Sequence, residues 1–249
     1  MPHRFYLPPE NCTGDSFKLA GREAHHALHV LRLKRGDEIV VLDGARGELI
    51  CEIENTSRDS IFVRVKKRNS VAAPPCSITL LVAIPKGKII ESIIQKSVEL
   101  GARRVVPLLT DRVVTRLSED ERNHKREQWQ QVAVEAIKQC GAAWLPKIEI
   151  PMEIEKFLAQ KEKFDLSLVG SLQTERRHPR EIISEFQKVN GHLPKSAAVW
   201  IGPEGDFTLG ELKTIENSGA LPMTLGNLTL RVETASIYCL SFLNYELNP

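Results

Sequence analysis

The sequence predicts an α/β protein in which a small β-rich region precedes a larger domain built on a parallel sheet. Residues 1–70 contain short apolar segments of period two, separated by Asp-Gly and Asn- or Ser-rich turns, a pattern typical of small barrels and curled sheets. Residues 71–75 contain a Pro-Pro pair and indicate a stiff linker. From residue 77 onward, apolar strand-like runs alternate with helical stretches, which indicates parallel strands covered on both faces.

The first region is expected to contain five strands and one helix. Turn signals and period-two alternation define the strands, and a mixed apolar stripe defines the helix. The expected strands cover residues 4–7, 16–19, 38–42, 47–53 and 60–65, and the expected helix covers residues 22–33.

The second region is expected to alternate strands with helices. Ser118 and Glu121 have the spacing of a capping box at the start of a long helix, which Gly141 closes. The expected strands cover residues 78–84, 104–109, 165–170, 197–201 and 221–225, and the expected helices cover residues 88–100, 118–140, 179–189, 209–218 and the segment from 232.

Composition excludes several classes of protein. The 249 residues carry a formal net charge of +2, which is too small to indicate a partner by itself. The five cysteines are odd in number and form no Cys-x-x-Cys pair, which argues against a disulfide framework and a zinc ribbon. The N-terminus lacks the apolar core of a signal peptide, and no apolar run approaches membrane-spanning length. We therefore expect a cytoplasmic protein without a membrane segment.

Two glycine-containing loops near the C-terminus each follow a strand and precede a helix. Residues 201–208 read Ile-Gly-Pro-Glu-Gly-Asp-Phe-Thr, and residues 225–231 read Leu-Gly-Asn-Leu-Thr-Leu-Arg. Glycine permits positive φ and proline fixes φ, so both loops follow constrained backbone paths. Ligands of open α/β sheets bind beyond the carboxyl ends of the strands. We interpret the loops as two walls of one small-molecule pocket; a plain tight turn is the alternative for residues 202–205.

Familiar catalytic and nucleotide signatures are missing. The sequence has no G-x-G-x-x-G and no G-x-S-x-G, and residues 85–88 lack the upstream glycine of a P-loop. His25, His26 and His29 lie within one helical turn, but no third metal ligand has a suitable spacing, so we interpret them as a polar helix face. Cys140 ends a helix, where the dipole disfavours a thiolate, so we do not expect a nucleophilic cysteine.

Arg231 lies at a position where the helix dipole disfavours a positive charge. It opens a helix whose other first-turn residues, Glu233 and Thr234, suit the positive end of the helix dipole, whereas a cation there is disfavoured. This placement indicates that Arg231 serves a ligand or a partner carboxylate.

Taken together, these motifs resemble the paired signature of the bacterial 16S rRNA uridine-N3 methyltransferases, a family of the SPOUT class of knotted methyltransferases. The similarity extends over almost the full chain. Two departures are Ala142, where the family commonly has arginine, and residues 227–228, where it has Pro-Arg or a similar pair. The matching segments are residues 3–6, 25–26 with 30–37, 84–87, 95–101, 110–112, 201–207, 225–226 and 230–235.

The resemblance implies a fold and a cofactor. Residues 1–72 would form a PUA-like RNA-binding β-barrel, and residues 74–249 a SPOUT methyltransferase domain with a C-terminal trefoil knot, within a homodimer. The pocket would hold S-adenosylmethionine, and no metal is expected. The residues implied in cofactor binding are Val169, Gly170, Ser171, Ile201, Gly202, Gly205, Leu225, Gly226 and Leu230.

The resemblance also implies an activity, methylation of N3 of a specific uridine in 16S rRNA of the small ribosomal subunit. Because uracil N3 carries a proton at neutral pH, the site needs a base or a cation that stabilises the uracil anion. Arg231 is the candidate cation, and Glu204 is either the base or a support for Arg231 or the loop. RNA-binding candidates, which would mainly position phosphates around an extruded base, are Arg4, Arg32, Lys34, Arg35, Lys86 and Arg112.

Two other functions stay open at this point. One is a non-catalytic RNA-binding or ribosome-assembly factor that keeps the fold, and the other is a SPOUT methyltransferase that acts on another RNA position. The intact glycine loops and Arg231 argue against the first.

Overall fold

The chain forms two compact units, which the computed structural model describes over residues 3–112, 117–172 and 176–248. One unit contains the residues up to Ala73 together with Val134–Leu145. The other contains Pro74–Ala133 and the residues from Pro146 onward. Within the described ranges, no helix is both long enough and apolar enough to cross a membrane.

The first unit is built on a curled sheet. Over its described residues the sheet has five strands in the order β1-β3-β4-β5-β2, in which β1 is parallel to β3 and the other pairs are antiparallel. The pairing of β4 with β5 shifts register twice, and such bulges increase bending and twist. The strands are β1 (His3–Tyr6), β2 (Ser16–Ala20), β3 (Glu38–Leu42), β4 (Gly47–Thr56) and β5 (Ser60–Ser70).

The helix predicted over residues 22–33 is shorter in the structure. Helix α1 (Gly21–His25) continues as one π-helical turn over His26–Val30 and then ends. Arg32 has a φ of 56°, a left-handed conformation that L residues other than glycine rarely adopt, and this reversal stops the helix. The prediction is therefore wrong in its last residues, because no glycine or proline there announced the end.

The segment Val134–Leu145 packs within the first unit although it follows much of the second in sequence. The buried Lys138 ammonium lies 2.8 Å from a carboxylate oxygen of Glu23. The Leu145 amide donates to the carbonyl of Gly44 at 2.8 Å. Sequence patterning cannot reveal such a grouping, because it depends on contacts between residues more than a hundred positions apart.

The second unit carries a fully parallel sheet, as the sequence predicts. In the described residues the strand order is β12-β10-β11-β6-β7-β8, and β9 also pairs with β7. The strands are β6 (Ser77–Ala83), β7 (Arg104–Leu109), β8 (Lys147–Ile148), β9 (Met152–Glu153), β10 (Leu166–Gly170), β11 (Ser196–Ile201) and β12 (Leu221–Met223).

Helices connect these strands and begin at recognisable caps. The predicted capping box is present at the first long helix, where the Ser118 amide donates to a Glu121 carboxylate oxygen at 2.8 Å. Thr208 and Glu211 form a second capping box. The helices are α2 (Ile89–Glu99), α3 (Glu119–Cys140), α4 (Ile154–Leu158), α5 (Pro179–Asn190), α6 (Leu209–Asn217) and α7 (Val232–Leu247).

A buried aromatic core fixes the central strand β11. Trp200 is 1% exposed, packs edge-on against Phe157 at a ring-centroid distance of 5.4 Å, and donates its indole N–H to the hydroxyl of Ser167. Because the strands are parallel, the loops that follow β6, β7, β10, β11 and β12 all leave the sheet at one edge. Ligand sites of such sheets lie at this edge.

Candidate active site

A pocket opens at the carboxyl edge of the parallel sheet. Ligands of open α/β sheets bind at this edge. Both predicted glycine loops line it, together with the end of β10, residues after that strand, and the first turn of α7. The lining residues are Gly170, Ser171, Leu172, Arg176, Ile201, Gly202, Pro203, Glu204, Asp206, Leu225, Gly226, Leu228, Thr229, Leu230, Val232 and Ala235.

The first wall, residues 201–207, is closely packed. A Cβ added to Gly202 would lie 3.0 Å from the backbone nitrogen of Phe207 and 3.1 Å from a carboxylate oxygen of Asp206. Phe207 is fully buried and anchors the loop in the core of the second unit. Only glycine therefore fits at position 202 without displacing backbone.

Hydrogen bonds join this wall to the loops that follow β6 and β7. A carboxylate oxygen of Glu204 accepts the backbone N–H of Lys86 at 3.2 Å. The guanidinium of Arg112 donates to the carbonyl oxygens of Gly205 and Asp206. These hydrogen bonds thus attach the loops that follow β6 and β7 to the first wall.

Glu211 adds a further connection behind the first wall. This residue of α6 is 7% exposed, and one of its carboxylate oxygens accepts the backbone N–H of Asp111 at 2.8 Å. Its other oxygen accepts the backbone N–H of Thr208, also at 2.8 Å. One carboxylate therefore fixes both the start of α6 and the end of β7.

Asp206 joins the first wall to the loop after β10. Its Oδ2 accepts the backbone N–H of Leu172 at 3.0 Å, and its Oδ1 accepts the N–H of Phe207 at 2.8 Å. Arg176, which lies between β10 and α5, donates from Nη1 to the carbonyl of Ser171 at 3.3 Å, a bond within the same connection.

The second wall, residues 225–230, is held differently. Within the described part of the chain, its hydrogen bonds are confined to Thr224, whose hydroxyl lies 3.2 Å from the amide of Gly226. Gly226 has a φ of 105°, and a Cβ there would meet nothing within 4 Å. Leu228 is 78% exposed. The second wall is therefore loosely supported before a ligand arrives.

The predicted cofactor residues fall into two groups. Val169 is fully buried inside β10, and Gly205 faces Arg112, whose Cδ would lie 3.3 Å from an added Cβ. Neither lines the pocket. The other seven line it: Gly170, Ser171, Ile201, Gly202, Leu225, Gly226 and Leu230.

The two predicted catalytic residues occupy different positions. Glu204 lines the pocket and is already bonded to the Lys86 amide. Arg231 is the N-cap residue of α7, exposed, and flanked in sequence by the lining residues Leu230 and Val232. Among the described residues, its side chain has no hydrogen bond and no ion pair. A cation at a helix N-terminus without a carboxylate partner remains free for an anionic ligand.

The predicted RNA-binding residues of the first unit are also of two kinds. Arg4 donates to the carbonyl of Gln139 at 3.1 Å and packs over Gly141, so its head group is engaged at the end of α3. The other three, Arg32, Lys34 and Arg35, are exposed, and their side chains have no ion pair within the described chain.

Lys86 and Arg112, the predicted RNA-binding residues of the second unit, adjoin the first wall. Lys86 is exposed and donates its backbone N–H to Glu204, which leaves its ammonium group to solvent. The guanidinium of Arg112 is used on loop carbonyls. The geometry thus gives Arg112 a local bracing contact that the sequence did not reveal.

Sequence reasoning missed several lining residues. The lining residues that were not named as cofactor-binding or catalytic are Leu172, Arg176, Pro203, Asp206, Leu228, Thr229, Val232 and Ala235. Asp206 and Thr229 lie within the glycine loops, which was a usable signal for both. Arg176 lies between β10 and α5, outside any helix or strand, so no hydrophobic periodicity could have identified it.

The chemistry available in the pocket is limited. Its described lining contains no cysteine and no histidine, so it offers neither a thiolate nucleophile nor an imidazole base. Burial raises the pKa of Cys51, Cys76 and Cys239 to about 12 in each case, which keeps these thiols protonated. Transfer directly between two bound ligands suits this lining better than a covalent enzyme intermediate.

A comparison with protein families decides the class of the protein. A family model described as RNA methyltransferase domain matches residues 72–244. The chain belongs to this RNA methyltransferase family. A second model, described as RNA methyltransferase PUA domain, matches residues 19–66. The predicted enzyme class and the predicted PUA-like first region are thereby confirmed.

Curated relatives of this family have informative names. A protein of Bacillus subtilis named ribosomal RNA small subunit methyltransferase E is 30% identical over 234 residues, covering 93% of this chain and 90% of the relative. A protein of the same name from Synechocystis is 30% identical over 249 residues, covering 98% of this chain and 78% of the relative.

Solved structures share the fold over nearly the whole chain. A protein of Legionella pneumophila, described as a methyltransferase and solved with bound S-adenosylmethionine, has a TM-score of 0.87 at 30% identity, and the match covers 99% of this chain and 98% of that one. The small subunit methyltransferase E of Neisseria gonorrhoeae, also bound to S-adenosylmethionine, has a TM-score of 0.85 at 23% identity, with coverage of 99% and 98%. At that identity the second match indicates the fold alone.

Proposed function

We propose that this protein is an S-adenosylmethionine-dependent methyltransferase that methylates N3 of a specific uridine in 16S rRNA of the small ribosomal subunit. The observation that carries the proposal is the pocket between two glycine loops in a chain of the RNA methyltransferase family. Relatives named ribosomal RNA small subunit methyltransferase E support the class of substrate.

The residues of the pocket fit this cofactor. Gly170, at the end of β10, lies so close to Leu225 of the second wall that an added Cβ would be 3.2 Å from the Leu225 Cδ1, so only a residue without a side chain leaves this corner of the pocket open. Such a cradle suits a bent ligand that is recognised largely by backbone groups, whereas Leu225 and Leu230 offer apolar surface. When bound, the cofactor supplies an electrophilic methyl group on a sulfonium.

Arg231 provides the electrostatic part of the mechanism. Uracil N3 must lose its proton before it can attack, and negative charge then develops on the ring oxygens. A guanidinium that has no partner within the described chain, beside two pocket-lining residues, can stabilise this charge. Alignment of N3 with the methyl group supplies a further share of the rate.

Glu204 has two possible roles, and one substitution separates them. Its bond to the Lys86 amide supports a bracing role, and its place in the pocket supports a role as base. Glu204→Gln keeps an oxygen acceptor for Lys86 but removes the basic carboxylate. Turnover that survives this change assigns Glu204 to bracing.

RNA binding, assembly and location complete the proposal. Arg32, Lys34 and Arg35 are exposed and free of ion pairs within the described chain, which suits phosphate contacts, as does the Lys86 ammonium. Arg4 and Arg112 would contact RNA only with the parts of their head groups that do not hold Gln139 or the 205–206 carbonyls. A homodimer, a C-terminal trefoil knot and a cytoplasmic location belong to the same proposal.

Nucleoside mass spectrometry tests the activity. Small-subunit rRNA from a strain that lacks the protein should have lost one 3-methyluridine, and the purified protein with labelled S-adenosylmethionine should restore it. Persistence of 3-methyluridine in that strain contradicts the proposed activity.

A non-catalytic assembly factor is the competing function. Equilibrium dialysis with labelled S-adenosylmethionine separates the two, because only the enzyme requires the cofactor. Absence of binding at tens of micromolar favours the assembly factor. Loss of a different methylated nucleoside in the same rRNA would instead favour a methyltransferase with another target.

A further inference from the structure

We propose that Asp206 is a positioning residue that holds the pocket in its cofactor-binding shape by joining the first wall to the loop after β10. This inference rests on the proposed cofactor site. Asp206 itself lines the pocket, and it bonds to Leu172, which lines the facing side. Its carboxylate therefore sets the distance between two lining segments that are 34 positions apart in sequence.

The backbone of Asp206 indicates that this carboxylate serves more than local folding. Its φ is 61°, in the left-handed region where glycine is the residue of least strain. Glycine would thus fit the backbone better, yet it could not bond to the amides of Leu172 and Phe207. Strained residues of this kind concentrate at functional sites, where the surrounding contacts maintain them.

The carboxylate acts on the two residues that directly follow β10, Ser171 and Leu172, both of which line the pocket. The Ser171 carbonyl accepts from Arg176, which lies in the same connection between β10 and α5, whereas the Leu172 amide donates to Asp206 of the first wall. Loss of the carboxylate removes the hydrogen bond that joins the Leu172 amide to the first wall. The cofactor must then fix the position of Leu172 when it binds, and that cost weakens its affinity.

The chain offers a matched control at the opposite edge of the same two strands. Asp165, just before β10, accepts the backbone N–H groups of Lys195 and Ser196 at 2.7 and 3.2 Å, beside the start of β11. It makes the same kind of carboxylate-to-amide contact, but it does not line the pocket and its φ is not positive. Substitutions of Asp165 therefore report the structural value of such a contact alone.

The experiment compares Asp206→Gly and Asp206→Asn with Asp165→Gly. For each purified full-length variant, the dissociation constant for S-adenosylmethionine and the midpoint of thermal unfolding without cofactor are measured. Asp206→Gly should weaken cofactor binding about tenfold, because a hydrogen bond to a charged acceptor is lost from the pocket. Its unfolding midpoint should stay near that of the unaltered protein, since relief of the left-handed strain offsets the lost bonds. Asp206→Asn, which retains one acceptor oxygen, should bind with intermediate affinity.

Asp165→Gly should show the opposite pattern, a lower unfolding midpoint with unchanged cofactor affinity. The inference is overturned if Asp206→Gly binds the cofactor as tightly as the unaltered protein. It is equally overturned if Asp165→Gly weakens binding as much as Asp206→Gly does. If the unaltered protein fails to bind S-adenosylmethionine, the proposed cofactor itself is refuted and this inference with it.

Discussion

Both walls of the pocket contain glycine and apolar residues, but they differ in the hydrogen bonds that join them to the rest of the protein. The first wall is bonded to the loops after β6, β7 and β10 through Glu204, Arg112 and Asp206. In the second wall, residues 225–230 have hydrogen bonds only with Thr224 among the described residues. We call the first wall, residues 201–207, the frame, and the second wall, residues 225–230, the strap, because the second has fewer hydrogen bonds among the described residues.

This difference separates two tasks that one site must perform. A rigid frame keeps the cofactor in a constant position, which lowers the entropic cost of aligning the reacting atoms. Loops with few hydrogen bonds are the segments that move aside to admit a ligand and close over it in other enzymes. Arg231, at the end of the strap, would therefore take its final position only when the pocket is filled.

The largest expected effect concerns Arg231. Arg231→Ala should reduce turnover by at least about a hundredfold, because stabilisation of the developing uracil charge is lost. The affinity for S-adenosylmethionine should stay unchanged, since the frame that holds the cofactor is intact. Steady-state rates with 16S rRNA and equilibrium dialysis with the cofactor measure the two quantities separately.

Arg231→Lys is the matched control for this prediction. It retains the charge but not the planar pair of donors, so its turnover should lie between those of the unaltered protein and Arg231→Ala. Near-normal turnover of Arg231→Ala would remove this residue from the mechanism and would leave the strap with a binding role only.

The next prediction compares one glycine from each wall. Gly202→Ala should lower the free energy of unfolding by about 1–3 kcal/mol, because its Cβ would press on the Phe207 backbone, which Asp206 holds in place. Gly226→Ala should lower it by only about 1 kcal/mol, since the added methyl group meets nothing within 4 Å and the cost comes from the positive φ alone. Urea unfolding of both variants measures these values.

The affinity for the cofactor provides a second comparison between Gly202→Ala and Gly226→Ala. Gly202→Ala should also weaken binding of S-adenosylmethionine, because the frame must shift to accommodate the methyl group. If Gly226→Ala destabilises the protein as much as Gly202→Ala does, the strap is as rigid as the frame and the distinction between the walls fails.

Local patterns in the sequence predicted much of this architecture. Period-two segments located β3, β4 and β5, and buried apolar runs located the central parallel strands. The capping residues Ser118 and Glu121 fixed the start of α3 within one residue. Both glycine loops were recognised, and the structure brings them to one pocket because parallel strands end at a common edge.

Contacts between distant segments could not be predicted in this way. The bonds of the first wall join residues that are 34, 93 and 118 positions apart, and no periodicity reports them. The short elements β8, β9 and α4 were missed because two to five residues carry too little pattern. Arg32 ends its helix in a left-handed conformation. Arginine has no preference for this conformation, so the sequence did not indicate where the helix stops.

The last prediction involves no substitution and the smallest change in energy. Amide hydrogen exchange, followed by mass spectrometry, should be slow at Asp206 and Phe207 of the cofactor-free protein, whose amides donate to the Pro203 carbonyl and the Asp206 Oδ1. It should be faster in residues 225–230, where the Gly226 amide donates to the Thr224 hydroxyl. Addition of S-adenosylmethionine should slow exchange in residues 225–230 several-fold and change residues 202–207 little. Equal slowing of both segments would mean that the first wall also depends on the cofactor for its order. The bonds of Glu204, Arg112 and Asp206 would then contribute to the closed state alone rather than maintain a frame in advance.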